Sequence, residues 1–374
     1  MALSPLRRRG MRSDRARAAL LPPVRLMIID DSLVARTALK RMVEGAEGLE
    51  VVGIASNAEA ALETLRTSRV DVVLLDLDMP GMGGLEALPR IIERARGARI
   101  LVVSSLTIDG AEHTLAALAL GAADTLPKPV ARGFHGDYRD LLLGKIRELG
   151  LAAVPTREAV GREPAPSPRL RPPTGNPARQ PAEILAIGAS TGGVHALASL
   201  FAALPRQLGV PVVITQHLPP AIIPYFARQI RSASGCETLL AEEDMPVLPD
   251  RVLIAPGDAH MAFRRRGDTL TVRLDHAPAP SGCLPSLDTM FASLAEEMGD
   301  RTLGVVLSGM GRDGALGAAR IVAAGGTILA QDEASSAVWG MPRAVAEAGL
   351  ASAVLPPEQL AQRVIAGIGG TPCK

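Results

Sequence analysis

The chain has 374 residues, of which 47% are hydrophobic and 2% aromatic, and a formal net charge of +1. That length predicts two domains, with cores built from Ala, Val, Leu and Ile, and the near-neutral balance excludes a global electrostatic pull toward nucleic acid. Three widely spaced cysteines (Cys236, Cys283 and Cys373) exclude a disulfide framework, offer no pair at metal-ligand spacing, and fit a reducing cytoplasm.

Residues 1–23 carry six arginines against one aspartate. The "AALLPP" that closes this segment is too brief for a signal-peptide core. It reads as a disordered basic arm, or as the product of a start codon placed too early. No apolar run approaches the roughly 20 residues needed to span a bilayer, so no membrane insertion is expected.

From residue 24 the pattern alternates. "VRLMII", "LEVVGI", "VDVVLL" and "ARILVV" are short β-rich runs, and helical stretches such as 34–43 and 58–66 follow them. Strands alternating with helices imply βαβ units around a parallel sheet, and near-continuous apolar strands imply that both faces are covered. A last helix is expected over 137–150. Residues 155–181 then hold eight prolines and almost no large apolar side chains, the composition of an extended linker. The expected boundaries are a domain at 24–148, a linker at 149–182 and a second domain at 183–370.

The alternation resumes in "EILAIG" and "PVVIT". Residues 236–284 look more β-rich, with "RVLIAP" and "DTLTVRL". A helix at 286–298, the strand "TLGVVLS", a helix at 314–324 and the strand "TILAQ" return to α/β. Both domains are therefore α/β, and neither is a sequence repeat of the other.

In the first domain Asp30 and Asp31 follow the first strand and Asp76 the third. Carboxyl ends of parallel strands share one edge, where open α/β folds bind ligands. Three converging acids repel unless a cation lies among them, and Mg²⁺ suits oxygen donors. Ser104 ends the fourth strand and Lys128 the fifth. A hydroxyl and an ammonium there suit a phosphoryl group on the carboxylate. "IIDDS", "LLDLDMPGMGG", "VVSSLT" and "LPKP" resemble the response-regulator receiver domain. The resemblance implies a flavodoxin-like, doubly wound, five-stranded parallel sheet. It makes Asp76 the phosphoacceptor, with Asp30 and Asp31 as Mg²⁺ ligands beside it, Ser104 the switch hydroxyl and Lys128 the partner of the phosphoryl. Gly83 stands where the family usually has Asp, and Thr125 where an aromatic often sits.

In the second domain, "ILAIGASTGG" poses a choice between a phosphate cradle and a nucleophile turn. A dinucleotide site asks for an acid at the end of the next strand, but that strand ends Thr215-Gln216-His217. A Tyr-x-x-x-Lys pair is also missing, since Gln229 lies four residues after Tyr225. Gly188-Ala189-Ser190-Thr191-Gly192 instead fits G-x-S-x-G in a strand-turn-helix context. Ser190 needs a base, and His217 ends the next strand. Asp313, after "TLGVVLSGMGRDGA", is the candidate carboxylate, although Asp before Gly-Ala is also a common helix N-cap. The order Ser, His, Asp differs from that of α/β-hydrolases, so the triad is sought by geometry rather than by that fold.

"AIGASTGG", "ITQHLPP", "RVLIAPGDAHM", "PSLD", "VVLSGMGRDGA" and "AQDEASSAVWGMPRAV" resemble the catalytic domain of chemotaxis protein-glutamate methylesterases, a doubly wound, mostly parallel α/β fold. The resemblance implies hydrolysis of γ-glutamyl methyl esters on chemoreceptors and deamidation of selected glutamines. Ser190 attacks, His217 moves the proton and Asp313 orients the imidazole. The Met310 N–H helps hold the oxyanion, and Thr191 positions the histidine. The esterase needs no cofactor. Expected partners are methyl-accepting chemoreceptors and a chemotaxis histidine kinase, with a cytoplasmic monomer as the working form. The family's receiver blocks access until it is phosphorylated. Ser308 replaces a usual threonine, and Cys283-Leu284 replaces a usual His-Arg pair. Two alternatives stay open: a phosphorylation-gated adaptor without catalysis, and the same esterase in a pathway other than motility.

Overall fold

The computed structural model describes residues 22–104, 108–128, 136–153 and 181–369. Residues 1–21 of the expected basic arm (1–23) and residues 154–180 of the expected linker (149–182) lie outside the described residues. The chain divides into two compact units, one spanning 1–105 with 125–155, the other 106–124 with 156–374.

The first unit carries β1 (Val24–Ile29), α1 (Leu33–Val43), β2 (Leu49–Ala55), α2 (Ala58–Thr67), β3 (Val72–Leu75), α3 (Gly84–Arg94) and β4 (Arg99–Ser104). Helix α4 (Ile108–Ala119) falls in the span of the second unit. Strand β5 (Asp124–Pro127) and α5 (Gly136–Ala153) complete this half of the chain. The strand order is β2-β1-β3-β4-β5, and β1 runs parallel to both β2 and β3. Both helix starts foreseen from sequence have side-chain caps. Ser32 Oγ accepts from Ala35 N at 3.3 Å, and Asn57 Oδ1 accepts from Ala60 N at 2.8 Å. Gly83 is the N-cap of α3 and offers no side-chain bond there. At the opposite end of the sheet, Arg25 grips buried Asp71 through Nε at 3.0 Å and Nη2 at 2.8 Å.

The second unit is built on β6 (Ile184–Ala189), α6 (Gly193–Ala203), β7 (Val212–Gln216), α7 (Ile223–Ser234), β8 (Glu237–Leu240) and β9 (Arg251–Ile254). The hairpin β10 (His260–Arg266) and β11 (Thr269–Asp275) follows, then α8 (Leu287–Glu297), β12 (Thr302–Val306) and α9 (Ala315–Ala323). Strand β13 (Thr327–Gln331), α10 (Met341–Glu347), β14 (Ala353–Leu355) and α11 (Pro357–Gly367) end the chain's described part. Seven strands lie in the order β14-β13-β12-β6-β7-β9-β8, and every pair is parallel. Among the described strands the β10–β11 hairpin is the one antiparallel pair, and with β8 and β9 it accounts for the β-rich reading of 236–284.

All six residues of β6 are buried, as its central place demands. From β6 the chain runs outward through β7 to β9 and β8, then returns to β12 on the other side. The crevice where such an order reverses is where open α/β sheets bind ligands. It lies here between β6 and β12. Leu287, Met290, Phe291 and Leu294 of α8 pack into the core beneath it.

Candidate active site

Backbone bonds hold three strand ends together. Leu307 N donates to Gly188 O at 2.8 Å, Ser190 N to Ser308 O at 3.0 Å, and His217 N to Ala189 O at 3.1 Å. The residues after β6, β7 and β12 are therefore fixed to one another by the sheet itself. The turn after β6 needs Gly192, whose φ is +77° and where a Cβ would fall 2.4 Å from Ala337 Cβ.

His217 and Asp313 meet: Nε2 lies 2.9 Å from Oδ2. An ionised carboxylate only accepts, so Nε2 carries a proton, and in the neutral ring Nδ1 then keeps the lone pair. The carboxylate also accepts from Ser286 Oγ at 2.8 Å, Leu287 N at 2.6 Å and Asp288 N at 3.3 Å. It therefore sits on the N-terminus of α8, where unpaired N–H groups favour negative charge. Burial pushes the Asp313 carboxyl up, but His217, the Leu287 N–H and the Ser286 hydroxyl overcome this and hold it at about 2. Neighbouring Asp288 goes the other way, raised by burial and by the charge of Asp313. Of the two acids, Asp313 is the one that stays ionised.

Ser190 is half-buried, and among the described residues its hydroxyl has no hydrogen-bond partner. Gln216 Nε2 donates to Ser190 O at 2.9 Å and fixes the turn from behind. A Cβ on Gly309 would lie 2.9 Å from Ser190 Cβ, so the loop after β12 passes directly against the serine. Among the described residues the main-chain N–H groups of Met310 and Thr191 have no hydrogen-bond partner either. Two free N–H groups flanking a serine can stabilise a developing oxyanion.

Thr191 is placed otherwise than expected. Its side chain is buried and its hydroxyl donates to Asp124 Oδ2 at 2.6 Å, within the span of the second unit, and makes no hydrogen bond to His217. Ser308 keeps the hydroxyl of the threonine it replaces and uses it, donating to Thr191 O at 2.7 Å and accepting from Val338 N at 3.1 Å.

Sequence reasoning did not find the grip of Ser286 and Leu287 on Asp313, nor His260. The ring of His260 is 1% exposed and ties down both ends of the loop that bears Cys283. Its Nε2 donates to Ala277 O at 2.8 Å, and its Nδ1 accepts from Ser286 N at 2.9 Å. "PSLD" was a visible motif, but of its three bonds to Asp313 only the Ser286 hydroxyl is a side chain, and the Leu287 and Asp288 amides carry no residue signature. Burial pushes the Cys283 thiol up, and the charge of Asp313 adds to this, so the thiol stays protonated and is no rival nucleophile.

In the first unit Asp30 and Asp76 are buried while Asp31 is exposed, and one oxygen of each lies within 4.8 Å of the others. Lys128 Nζ stands 2.6 Å from Asp76 Oδ2 and 3.1 Å from Asp30 Oδ2. Asp30 Oδ2 is buried, and the ion pair with Lys128 is its one polar contact among the described residues. An all-oxygen donor set of three converging carboxylates, with the single ammonium of Lys128 against two of them, fits Mg²⁺. Burial raises the Asp76 carboxyl even against Lys128. Ser104 is buried at the end of β4, where its carbonyl accepts from Lys128 N at 2.8 Å, and Thr125 is buried one strand over.

Comparison with known proteins matches both units. A family model described as CheB methylesterase matches residues 185–364, and one described as response regulator receiver domain matches 26–133. The chain is 44% identical over 340 residues to protein-glutamate methylesterase/protein-glutamine glutaminase 2 of Caulobacter vibrioides, covering 90% of this chain and 96% of that one. It is 40% identical over 361 residues to protein-glutamate methylesterase/protein-glutamine glutaminase 1 of Paramagnetospirillum magneticum, covering 90% and 94%. The crystal structure of the Thermotoga maritima CheB methylesterase catalytic domain aligns with 34% identity and a TM-score of 0.48, covering 50% of this chain and 98% of that one.

Proposed function

The chain belongs to the CheB methylesterase family with an attached response-regulator receiver domain, and on that premise we propose that it hydrolyses γ-glutamyl methyl esters of chemoreceptors, and deamidates selected glutamines, under control of phosphorylation at Asp76. The observation that carries this reading is the 2.9 Å contact of His217 with an ionised Asp313, beside a serine on the adjoining strand end.

The chemistry follows from which nitrogen is free. With Nε2–H committed to Asp313, Nδ1 takes the proton as Ser190 Oγ attacks the ester carbonyl carbon. The N–H groups of Met310 and Thr191 hold the oxyanion of the tetrahedral intermediate. Collapse expels methoxide, which leaves as methanol with the proton from Nδ1. Water then attacks the acyl-serine with His217 again as base, and glutamate is released. With a glutamine side chain the leaving group is ammonia.

For control, a carboxylate oxygen of Asp76 accepts the phosphoryl group from a phosphohistidine donor. Asp30, Asp31 and Asp76 would hold Mg²⁺, which neutralises charge on the transferring phosphoryl when bound. The ammonium of Lys128 and the hydroxyl of Ser104 bind phosphoryl oxygens.

The test is methanol release from methylated receptor membranes with and without phosphodonor. Release that the phosphodonor stimulates, and that Ser190→Ala abolishes, supports the reading. A Ser190→Ala chain as fast as the parent would refute it. No helix among the described residues is long and apolar enough to cross a membrane.

A further inference from the structure

Cys283 lies beside the two residues that make the proton relay. One donor atom each of His217, Cys283 and Asp313 falls within 4.8 Å of the other two. We propose that these three side chains form a binding site for a zinc-class divalent cation, and that its occupancy switches the esterase off. The binding half of the proposal stands on the cluster alone. The inhibitory half rests on the esterase reading above.

The donor set selects the ion. Thiolate and imidazole with one carboxylate suit Zn²⁺, whereas Mg²⁺ and Ca²⁺ prefer oxygen alone. Tetrahedral Zn²⁺ at its usual bond lengths spaces neighbouring donors about 3.3–3.8 Å apart, so a pair at the 4.8 Å limit would close by about an ångström. Two donors are fixed and one is movable. Asp313 is held by Ser286 and Leu287, and His217 by Asp313. Cys283 sits half-buried on a turn after Gly282, which has φ +73°, and its Sγ is 4.0 Å from its nearest partner, Ser281 O. Rotation of one uncommitted thiol supplies the closure. The fourth position is left to water.

On binding, Cys283 gives up its thiol proton to solvent as the sulfur–metal bond forms, and no electron changes hands. The consequence for catalysis is the same for either ring nitrogen. A cation on Nδ1 takes the lone pair that receives the serine proton. A cation on Nε2 moves the ring proton to Nδ1, which can then no longer accept. Occupancy and general-base catalysis therefore exclude one another.

The experiment uses the full chain, stripped of metal and kept in excess Mg²⁺ to saturate the oxygen site around Asp76. Zn²⁺ is titrated against a chromophoric chelator, and Co²⁺ is added separately as a spectroscopic probe. One Zn²⁺ per chain is expected, together with a thiolate-to-cobalt charge-transfer band and a methanol-release rate that falls in step with occupancy and recovers with chelator. Cys283→Ser and Cys283→Ala should weaken Zn²⁺ binding by more than the ~10–100-fold typical of losing an outer partner, and should lack the band. Cys236→Ser should keep both.

Equal Zn²⁺ affinity in the parent and both Cys283 variants would overturn the site, as would bound Co²⁺ without the thiolate band. Full methanol release from the Zn²⁺-loaded parent would overturn the switch. A chain that binds Zn²⁺ through Cys283 yet never releases methanol would support the site while refuting the function on which the switch rests.

Discussion

His217 offers Nε2, not Nδ1, to Asp313, at 2.9 Å. The proton-accepting face of the ring is therefore the nitrogen nearer its own backbone. Asp313→Asn should leave the fold intact but lose the fixed tautomer. A fall in kcat of about 10³–10⁴-fold in methanol release is expected, the scale known for such a change in a serine triad.

The same carboxylate makes a pH-dependent contribution to stability. Its folded value, about 2, lies below the usual 3.8. The contribution is therefore fully present above about pH 4 and disappears as pH falls through 2, amounting to about 2 kcal/mol. Urea unfolding across that window should show the parent losing stability that the Asp313→Asn chain never had. Parallel pH profiles would contradict the assignment.

His260→Ala should release the loop from Ala277 to Ser286 by removing both an acceptor and a donor. A loss of about 1–3 kcal/mol in unfolding free energy is expected. The Ser286 hydroxyl, which His260 helps to place, also holds Asp313. Methanol release should thus slow in kcat as well, though less than in Asp313→Asn.

Gly309→Ala tests the oxyanion loop. The new methyl would meet Met341 Sδ at 2.4 Å and Ser190 Cβ at 2.9 Å. The thioether is flexible and gives way, but the serine's own Cβ does not. Displacing Met310 N–H from the serine should cost about 10²–10³-fold in kcat, with circular dichroism unchanged.

In the first unit, Asp76→Asn removes the acceptor oxygen and leaves Lys128 facing Asp30. The ratio of methanol-release rates with and without a small-molecule phosphodonor should drop to one. Chelating Mg²⁺ should lower the same ratio in the parent chain, and labelled phosphate should no longer be retained on the protein in either case.

The parts of this molecule legible in its sequence are those that strand ends dictate. Apolar runs closed by Asp30, Asp76, Ser190 and His217 fixed the edges and, through them, both sites. Asp313 was legible only as a candidate, because an acid before Gly-Ala is equally an N-cap. What stayed hidden depends on contacts far apart in sequence or on the main chain. The Leu287 N–H that grips Asp313 is a property of a helix start, not of leucine. His260 is one histidine in a β-rich stretch until its two bonds are seen. The position of Thr191 misled for a related reason: adjacency to Ser190 along the chain says nothing about where a χ1 rotation sends the hydroxyl, and here it goes to Asp124. Cysteine spacing also hid Cys283, whose neighbours His217 and Asp313 are 66 positions before it and 30 after it.

The central place of β6 in the seven-stranded sheet has a bearing on how this protein ages and is inhibited. Its neighbours on either side, β7 and β12, lead into His217 and the loop of Asp313. The reactive trio thus hangs from the buried middle of the sheet, so heating should extinguish turnover and cooperative structure at one temperature. Fraying at the rim strands β8 or β14 would leave the chemistry intact, and an effector aimed at those outer strands would be wasted.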